Sequence, residues 1–230
     1  MARYFTNEVF VFLRELEQNN EKAWWEANKE RYIDTIREPA LEFINDFGSR
    51  VKKISPHFTA DSRTTGGSLM RPYRDIRFSS DKTPYKTNVG IQFRHESGRD
   101  MHAPGFYLHI ANEGSFAGVG LWNPETATAR KIREAIFADP TGWKKAAKGR
   151  AFLDAWTFDG HPDEMLKRVP REFDSGFRFA DDLRRKSFTA GARLTKREIT
   201  STDFAASLEK RFATAKGLVG FLCDAVGLPF

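Results

Sequence analysis

Two segments near the middle of the chain alternate between apolar and small or polar residues, as the strands of a half-buried sheet do. The segments are residues 88–95 and 105–111, and their apolar members occupy alternate positions: Val89, Ile91, Phe93, Phe106, Leu108 and Ile110. A polar connection joins them, and the tight-turn signal Asn112-Glu113-Gly114 precedes a third strand over residues 115–122. The sequence therefore predicts an antiparallel meander with one apolar face.

Helical periodicity occurs on both sides of these strands. The first 55 residues predict helices, with Thr6 as the first N-cap and with an end or kink at Pro39. A further helix begins at Pro124, and a last one runs over residues 203–226. Helices from the N-terminal and C-terminal parts, packed on a mostly antiparallel sheet, make an α+β fold.

The length of 230 residues fits one domain, 1–230, with a full-sized core. The 21 Phe and 5 Trp residues supply bulky side chains for that core, and we expect Trp24, Trp25 and Trp122 to belong to it. Residues 150–200 are the least regular part of the chain, with a possible strand at 186–194.

The sequence lacks the signals of a membrane or exported protein. No apolar run approaches the roughly 20 residues that a membrane-spanning helix needs, and the first residues do not form a signal peptide. Cys223 is the only cysteine, which excludes an intramolecular disulfide and a thiolate metal cluster, and its apolar surroundings predict a buried, inert thiol. We expect a cytoplasmic protein that does not bind membranes.

Residues 66–88, GGSLMRPYRDIRFSSDKTPYKTN, are the most informative segment. All but Asn88 lie in a stretch, residues 57–87, that has neither helical nor strand periodicity and is predicted to be a long, ordered loop. Within residues 66–88 the basic side chains outnumber the two acidic ones by three, and the charged residues are Arg71, Arg74, Asp75, Arg77, Asp81, Lys82 and Lys86. Guanidinium groups match the oxygens of carboxylates and phosphates, so the segment predicts an anion site.

The same segment resembles the hallmark of the family called domain of unknown function 2461, in the string RPYRDIRFSSDKTPYKTN preceded by GGSL. The stretches FLRELEQNNEKAWW and PGFYLHI, and the turn over residues 118–124, also resemble that family, so the likeness covers nearly the whole chain. Pro72 departs from the pattern, because a longer residue such as isoleucine is expected there. As the family's name records, the resemblance implies no activity, cofactor or catalytic residue.

A polar pocket beside the basic loop is the second expectation. If the first two strands pair, Gln92, Arg94, Tyr107 and His109 share one face of the sheet. His109 is then the candidate general acid or base. In that hypothesis Arg74 or Arg77 stabilises negative charge, and Tyr73 or Tyr107 relays a proton. The alternative is a hydrogen-bonded histidine on a half-exposed sheet face, which is the more common place for a lone histidine in a strand.

Three hypotheses for the function follow. The first is binding or processing of a small phosphorylated or carboxylated ligand in a basic pocket. Its candidate ligand-binding residues are Arg71, Tyr73, Arg74, Asp75, Arg77, Asp81, Lys82, Lys86, Arg94 and Tyr107. The second is a non-enzymatic nucleic-acid-binding module. The third is an ionic loop without a ligand, in which Asp75 and Asp81 pair with the basic side chains.

Several signatures of known chemistry are absent from the sequence. It contains no phosphate-binding loop of the Walker type, no dinucleotide fingerprint and no G-x-S-x-G elbow. The histidines have no metal-ligand spacing, so no metal site is predicted, and no particular cofactor is indicated. The net charge of +6 is compatible with an anionic partner but is too small for a nucleic-acid-binding tail.

Overall fold

The computed structural model describes residues 3–98, 103–158 and 165–230 of the chain. Helices precede, interrupt and follow one antiparallel sheet, so the α+β fold predicted from the sequence is confirmed. No helix in these ranges is both long enough and apolar enough to cross a membrane.

The N-terminal part is helical. Its elements are α1 (Asn7–Gln18), α2 (Lys22–Ala27), α3 (Lys29–Tyr32), a π-helical turn (Ile33–Arg37) and α4 (Glu38–Ile54). Thr6 is the N-cap of α1, as predicted, and its side chain accepts a hydrogen bond from the backbone N–H of Glu8. The π-helical turn ends just before Pro39, which lies in the first turn of α4, where a missing N–H breaks no helical hydrogen bond.

Six strands form the sheet that the structure describes. They are β1 (Phe58–Thr59), β2 (Asn88–His95), β3 (Gly105–Ala111), β4 (Phe116–Leu121), β5 (Thr157–Phe158) and β6 (Phe188–Arg193). Their order across the sheet is β1-β2-β3-β4-β6-β5, and every neighbouring pair is antiparallel. The predicted meander of β2, β3 and β4 and the possible strand at 186–194 are both confirmed.

The remaining helices follow β4 in the chain. They are α5 (Thr126–Ala138), α6 (Pro140–Ala147), α7 (Arg150–Leu153), α8 (Ala180–Leu183), α9 (Lys196–Ile199), α10 (Phe204–Thr214) and α11 (Lys216–Val226). The sequence predicts one helix over residues 203–226, and the structure divides it at Ala215 into α10 and α11.

One face of the sheet packs against helices. Its apolar residues alternate along the strands as predicted, and the rings of Phe93 and Phe106 are fully buried. The ring centroid of Phe93 lies 4.8 Å from that of Phe47 in α4, and the centroid of Phe106 lies 5.0 Å from that of Phe212 in α10. Rings in such contacts bury large apolar areas, so α4 and α10 are attached firmly to this face.

A buried ionic cluster holds α8 to α6. The Asp182 carboxylate is 4% exposed and accepts hydrogen bonds from Trp143 Nε1 at 2.8 Å and from Arg185 Nε at 3.0 Å. Lys148 Nζ lies 2.9 Å from the same carboxylate. Burial alone raises the pKa of Asp182, but the hydrogen bonds from Lys148 and Trp143 outweigh it and hold the pKa below its ordinary value. The charge is therefore fully compensated.

The long loop predicted over residues 57–87 contains more regular structure than the sequence suggests. It begins with the edge strand β1, which pairs with the end of β2, so the prediction of no strand there is wrong at Phe58 and Thr59. Single bridges then join Leu69 to Ile91 and Tyr73 to Tyr85. The two-residue strand was missed because it is too short to show a period of two.

Candidate functional site

The other face of the sheet carries a cavity of about 760 Å³, which is within the usual size range of small-molecule sites. Its lining comes from β2 to β6, from residues just beyond their ends and from Met70, and no residue of a described helix belongs to it. The register places Gln92 opposite Tyr107 and Gly90 opposite His109. The shared sheet face predicted for Gln92, Arg94, Tyr107 and His109 is therefore present.

Glycines form the floor of the cavity. Gly105 pairs with Gly120 across β3 and β4, and Gly118 pairs with Gly191 across β4 and β6. All four line the cavity. Gly120 has a φ of 113°, and a Cβ atom there would lie 2.0 Å from the carbonyl oxygen of Phe188, so only glycine fits. The floor is backbone without side chains, and a ligand can approach it closely.

A cluster of rings forms one wall. The ring of His109 stacks on Phe116 with centroids 4.8 Å apart and an angle of 18° between the planes. Tyr107 Oη lies 3.3 Å from His109 Nδ1. Burial lowers the pKa of His109 and raises the pKa of Tyr107, because each loses solvation of its charged form. Both side chains are therefore neutral at neutral pH, and they can exchange hydrogen-bond donor and acceptor roles.

Arg193 and Thr189, both on β6, give the cavity its remaining polar character. Arg193 is the only charged side chain among the described lining residues, and it forms no ion pair within the described chain. The Oγ1 atom of Thr189 is buried and has no hydrogen-bond partner among the described residues. Buried hydroxyls normally have a partner, so Thr189 Oγ1 is an unsatisfied polar group in the wall of the cavity.

Trp122 lies at the end of β4 and is 53% exposed. It lines the cavity, so its assignment to the core is wrong. Trp25 is buried and Trp24 is partly buried against the core, as predicted. The alternation along β4 continues past the strand and brings Phe116, Gly118, Gly120 and Trp122 to one face. This alternation is the sequence signal that would have found the floor and the tryptophan.

The 66–88 loop contributes Met70 to this cavity, and its charged residues do not belong to the described lining. Arg74 donates to Asp81 at 2.5 Å, to the carbonyl oxygen of Thr83 at 3.1 Å and to the Thr83 hydroxyl. These bonds close the loop on itself.

The tip of the loop has a second internal ion pair. Arg77 donates to both carboxylate oxygens of Asp75, at 2.9 and 2.7 Å, and this pairing lowers the pKa of Asp75 to about 2. Lys82 Nζ donates to the carbonyl oxygen of Ile76 at 3.0 Å. Three of the five predicted basic residues, Arg74 among them, therefore bind groups of the loop itself.

The other two basic side chains of the loop have no acidic partner among the residues that the structure describes. Arg71 is exposed, and Lys86 is half-buried, with a pKa lowered by burial and then by the charge of Arg71. Lys86 lines a small cavity of about 10 Å³ that it shares with Trp25 and Tyr32. A space of that size holds about one water molecule.

The remaining predicted residues, Tyr73 and Arg94, lie in different places. Tyr73 is 45% exposed, and its ring centroid lies 5.6 Å from that of Tyr85. Arg94 is on the cavity side of β2, where its Nε donates to Gln92 Oε1 at 3.2 Å. The structure thus brings Tyr107, His109 and Gln92 together in the cavity, with Arg94 beside them and Tyr73 elsewhere.

The described residues contain no group of three or more His, Cys, Asp or Glu side chains that could hold a metal ion. Two of the histidines, His102 and His161, lie outside the described residues.

Comparison with known proteins gives one match. A family model described as "Conserved hypothetical protein (DUF2461)" matches residues 8–221 of the chain. No curated protein and no solved structure matches it.

Proposed function

This chain belongs to the DUF2461 family of conserved hypothetical proteins, and we propose that it binds a small organic anion in the cavity on the helix-free face of its sheet. The observation that carries the proposal is the composition of the lining. Arg193 is a lone guanidinium in a large, mostly apolar and aromatic cavity whose described lining has no carboxylate.

The charge of the cavity selects the ligand. Among the described lining residues a cationic ligand would meet Arg193 without a compensating carboxylate, whereas a carboxylate or phosphate would accept two parallel hydrogen bonds from the guanidinium. Arg193 is exposed, so the charged group of the ligand would lie at the solvent side of the cavity while the rest of the ligand contacts the apolar lining. The proposed ligand is therefore an anion, as expected from the sequence, but its proposed site is on the sheet and not in the 66–88 loop.

His109 is the residue of the cavity that is suited to proton exchange with the ligand. Its neutral imidazole can accept a proton, and Tyr107 lies within hydrogen-bonding distance of one ring nitrogen. The other ring nitrogen, Nε2, has no hydrogen-bond partner among the described residues. A ligand proton that lies near Nε2 can be transferred to the His109 imidazole.

The proposal is tested by isothermal titration calorimetry with benzoate, phenyl phosphate and benzylamine. We expect the wild type to bind one or both anions and not the amine. Arg193→Gln should weaken anion binding by at least about tenfold, the value of one charge-assisted hydrogen bond. Arg197→Gln is the matched control, because Arg197 is exposed on α9 and has no ion pair in the described chain. Equal affinities for the two variants would contradict the proposal.

Nucleic-acid binding is a second candidate function, and one observation favours it. The ring of Phe78, at the tip of the 66–88 loop, is 96% exposed, and the Arg77 guanidinium lies 5.9 Å from its centroid. An exposed ring beside a cation can stack on a base. Binding of a single-stranded oligonucleotide should then weaken steeply with salt, by about 0.7 log unit per log unit of salt for each phosphate neutralised. Loss of that binding in Phe78→Ala would support this function.

A further inference from the structure

The floor of the cavity restricts the shape of the ligand. Resting on the proposed function, we infer that the bound anion is a planar aromatic or heteroaromatic molecule that lies flat on Gly105, Gly118, Gly120 and Gly191. Its charged group binds Arg193. The ligand class is thus an aromatic carboxylate or a phosphorylated heteroaromatic compound, not an aliphatic acid.

The size of the floor agrees with one ring or two fused rings. The four glycines lie on the adjacent strands β3, β4 and β6. With strands about 4.8 Å apart and same-face residues about 6.7 Å apart along a strand, the four glycines form a stepped strip within an area of roughly 10 by 7 Å, and Tyr107 and Thr189 occupy its other two positions. A flat ring on this strip contacts the backbone between those two side chains. A chair-shaped ring of the same formula contacts it at only some of its atoms, and dispersion attraction falls steeply with such gaps.

Aromatic side chains stand at both ends of the floor. Along β4 the order on the cavity side is Phe116, Gly118, Gly120 and Trp122, so two glycines separate two large rings. The Phe116 ring is held in place by its stack with His109, whereas the Trp122 ring is half exposed. A planar ligand on the glycines would present its edges to both rings, which is a favoured geometry for aromatic pairs.

Polar groups on β6 define the direction of the ligand. Arg193 and Thr189 are four residues apart on the cavity side of this strand, with Gly191 between them. Their Cα atoms are therefore about 13 Å apart. The anionic group would bind Arg193, the ring would cover Gly191, and a ring heteroatom or hydroxyl would bind Thr189 Oγ1 after rotation about χ1 turns this buried, unpartnered atom into the cavity.

Matched ligands test the inference on the unmodified protein. The probes are benzoate, cyclohexanecarboxylate, naphthalene-2-carboxylate and a nucleoside monophosphate, titrated by calorimetry. We expect the wild type to bind each planar carboxylate at least about tenfold more tightly than cyclohexanecarboxylate, since a misfitting apolar group costs about that much in a shaped pocket. Tighter binding of the nucleotide than of the carboxylates would identify the phosphorylated heteroaromatic source.

Gly118→Ala tests the floor itself. A Cβ atom at Gly118 would lie 3.4 Å from a ring carbon of Phe116 and 3.5 Å from Tyr107 Cβ, so the variant is expected to fold. Its methyl group would lift a flat ligand off the floor and weaken planar anions by at least about tenfold. Gly48→Ala is the matched control, because that glycine lies in α4, where the nearest atom to a new Cβ is 3.8 Å away.

The outcomes separate this inference from the proposed function. If wild type binds no anion of the panel, both fail. If it binds cyclohexanecarboxylate as tightly as benzoate and Arg193→Gln weakens both, the anion site stands and the planar ligand is wrong. Should Gly118→Ala not fold, Thr189→Val is the second variant, and it should weaken 4-hydroxybenzoate more than benzoate. Equal weakening of these two would overturn the proposed direction of the ligand.

Discussion

The hydroxyl of Tyr107 lies 3.3 Å from Nδ1 of His109, two residues further along β3. Side chains two apart in a strand point to the same face, so this contact follows from local geometry and needs no long-range packing. Burial of the imidazole among its protein neighbours lowers the pKa of His109. His109 contacts Tyr107, lines the cavity and has a lowered pKa, so its titration tests the structure of this face of the sheet.

Stability should depend on pH through His109. Burial lowers the pKa of this residue below its ordinary value of 6.5, so the unfolded chain binds a proton more readily than the folded one. The contribution of His109 to stability is therefore complete above pH about 6.5 and is lost as the pH falls toward the folded pKa. The free energy of unfolding, measured with urea between pH 7.5 and 5, should fall less steeply for His109→Gln than for the wild type. Identical slopes would contradict the burial of the imidazole.

Arg74 should act on stability and not on binding of anions in the cavity. Its guanidinium holds Asp81 and Thr83 in the 66–88 loop. Asp81 is more than half exposed, so we expect Arg74→Ala to lower the free energy of unfolding by only about 1–2 kcal/mol. Arg71→Ala is the control, since Arg71 is exposed and has no ion pair in the described chain, and it should change stability little. Loss of benzoate binding in Arg74→Ala, with stability unchanged, would return the ligand site to the loop.

Asp182 should be far more important for stability than its sequence neighbour Asp181. Replacing Asp182 by alanine removes the buried carboxylate that pairs with Lys148 and accepts a hydrogen bond from Trp143, and breaking such a buried pair costs about 3–5 kcal/mol in comparable cases. Asp181 is 85% exposed and pairs with Arg184, so Asp181→Ala should cost less than about 1 kcal/mol. Chemical denaturation of both variants measures the difference. A similar small effect for both would mean that the cluster is open to solvent.

Cys223 should be unreactive in the folded protein. The side chain is fully buried in α11, and burial raises the pKa of the thiol to about 12. Because the thiolate is the reactive form, Ellman's reagent at pH 8 should label the protein only as it unfolds in urea. Rapid labelling of one thiol per chain without urea would show that α11 opens under native conditions.

The meander of β2, β3 and β4 could be predicted from the sequence, because apolar residues alternate with other residues along strands of six or more residues. The sequence also placed Tyr107 and His109 on one face, which only requires that alternation. Phe58 and Thr59 were missed because two residues cannot show a period. The sequence could not show whether Arg74 pairs with Asp81 or binds a ligand, because the outcome depends on how the loop folds in three dimensions.

The cavity itself was the larger omission. The glycine pattern at Gly118 and Gly120 does not by itself show that the neighbouring strand brings Gly191 beside Gly118. Trp122 was assigned to the core because a tryptophan near a strand is usually buried. Arg193 follows a stretch with weak periodicity, and its position opposite Phe116 depends on the pairing of β4 with β6. Each of these features comes from strand register, which the local sequence does not determine.

The most direct test of the account is to find where an anion binds. Backbone amide chemical shifts of the isotope-labelled protein should be followed by NMR during a titration with benzoate. We expect saturable changes in the amide shifts of Gly105, Gly118, Gly191 and Arg193, and no change in the amide shifts of residues 71–86. Shifts confined to residues 71–86, or no saturable shift at all, would contradict the claim that the helix-free face of the sheet is the ligand site.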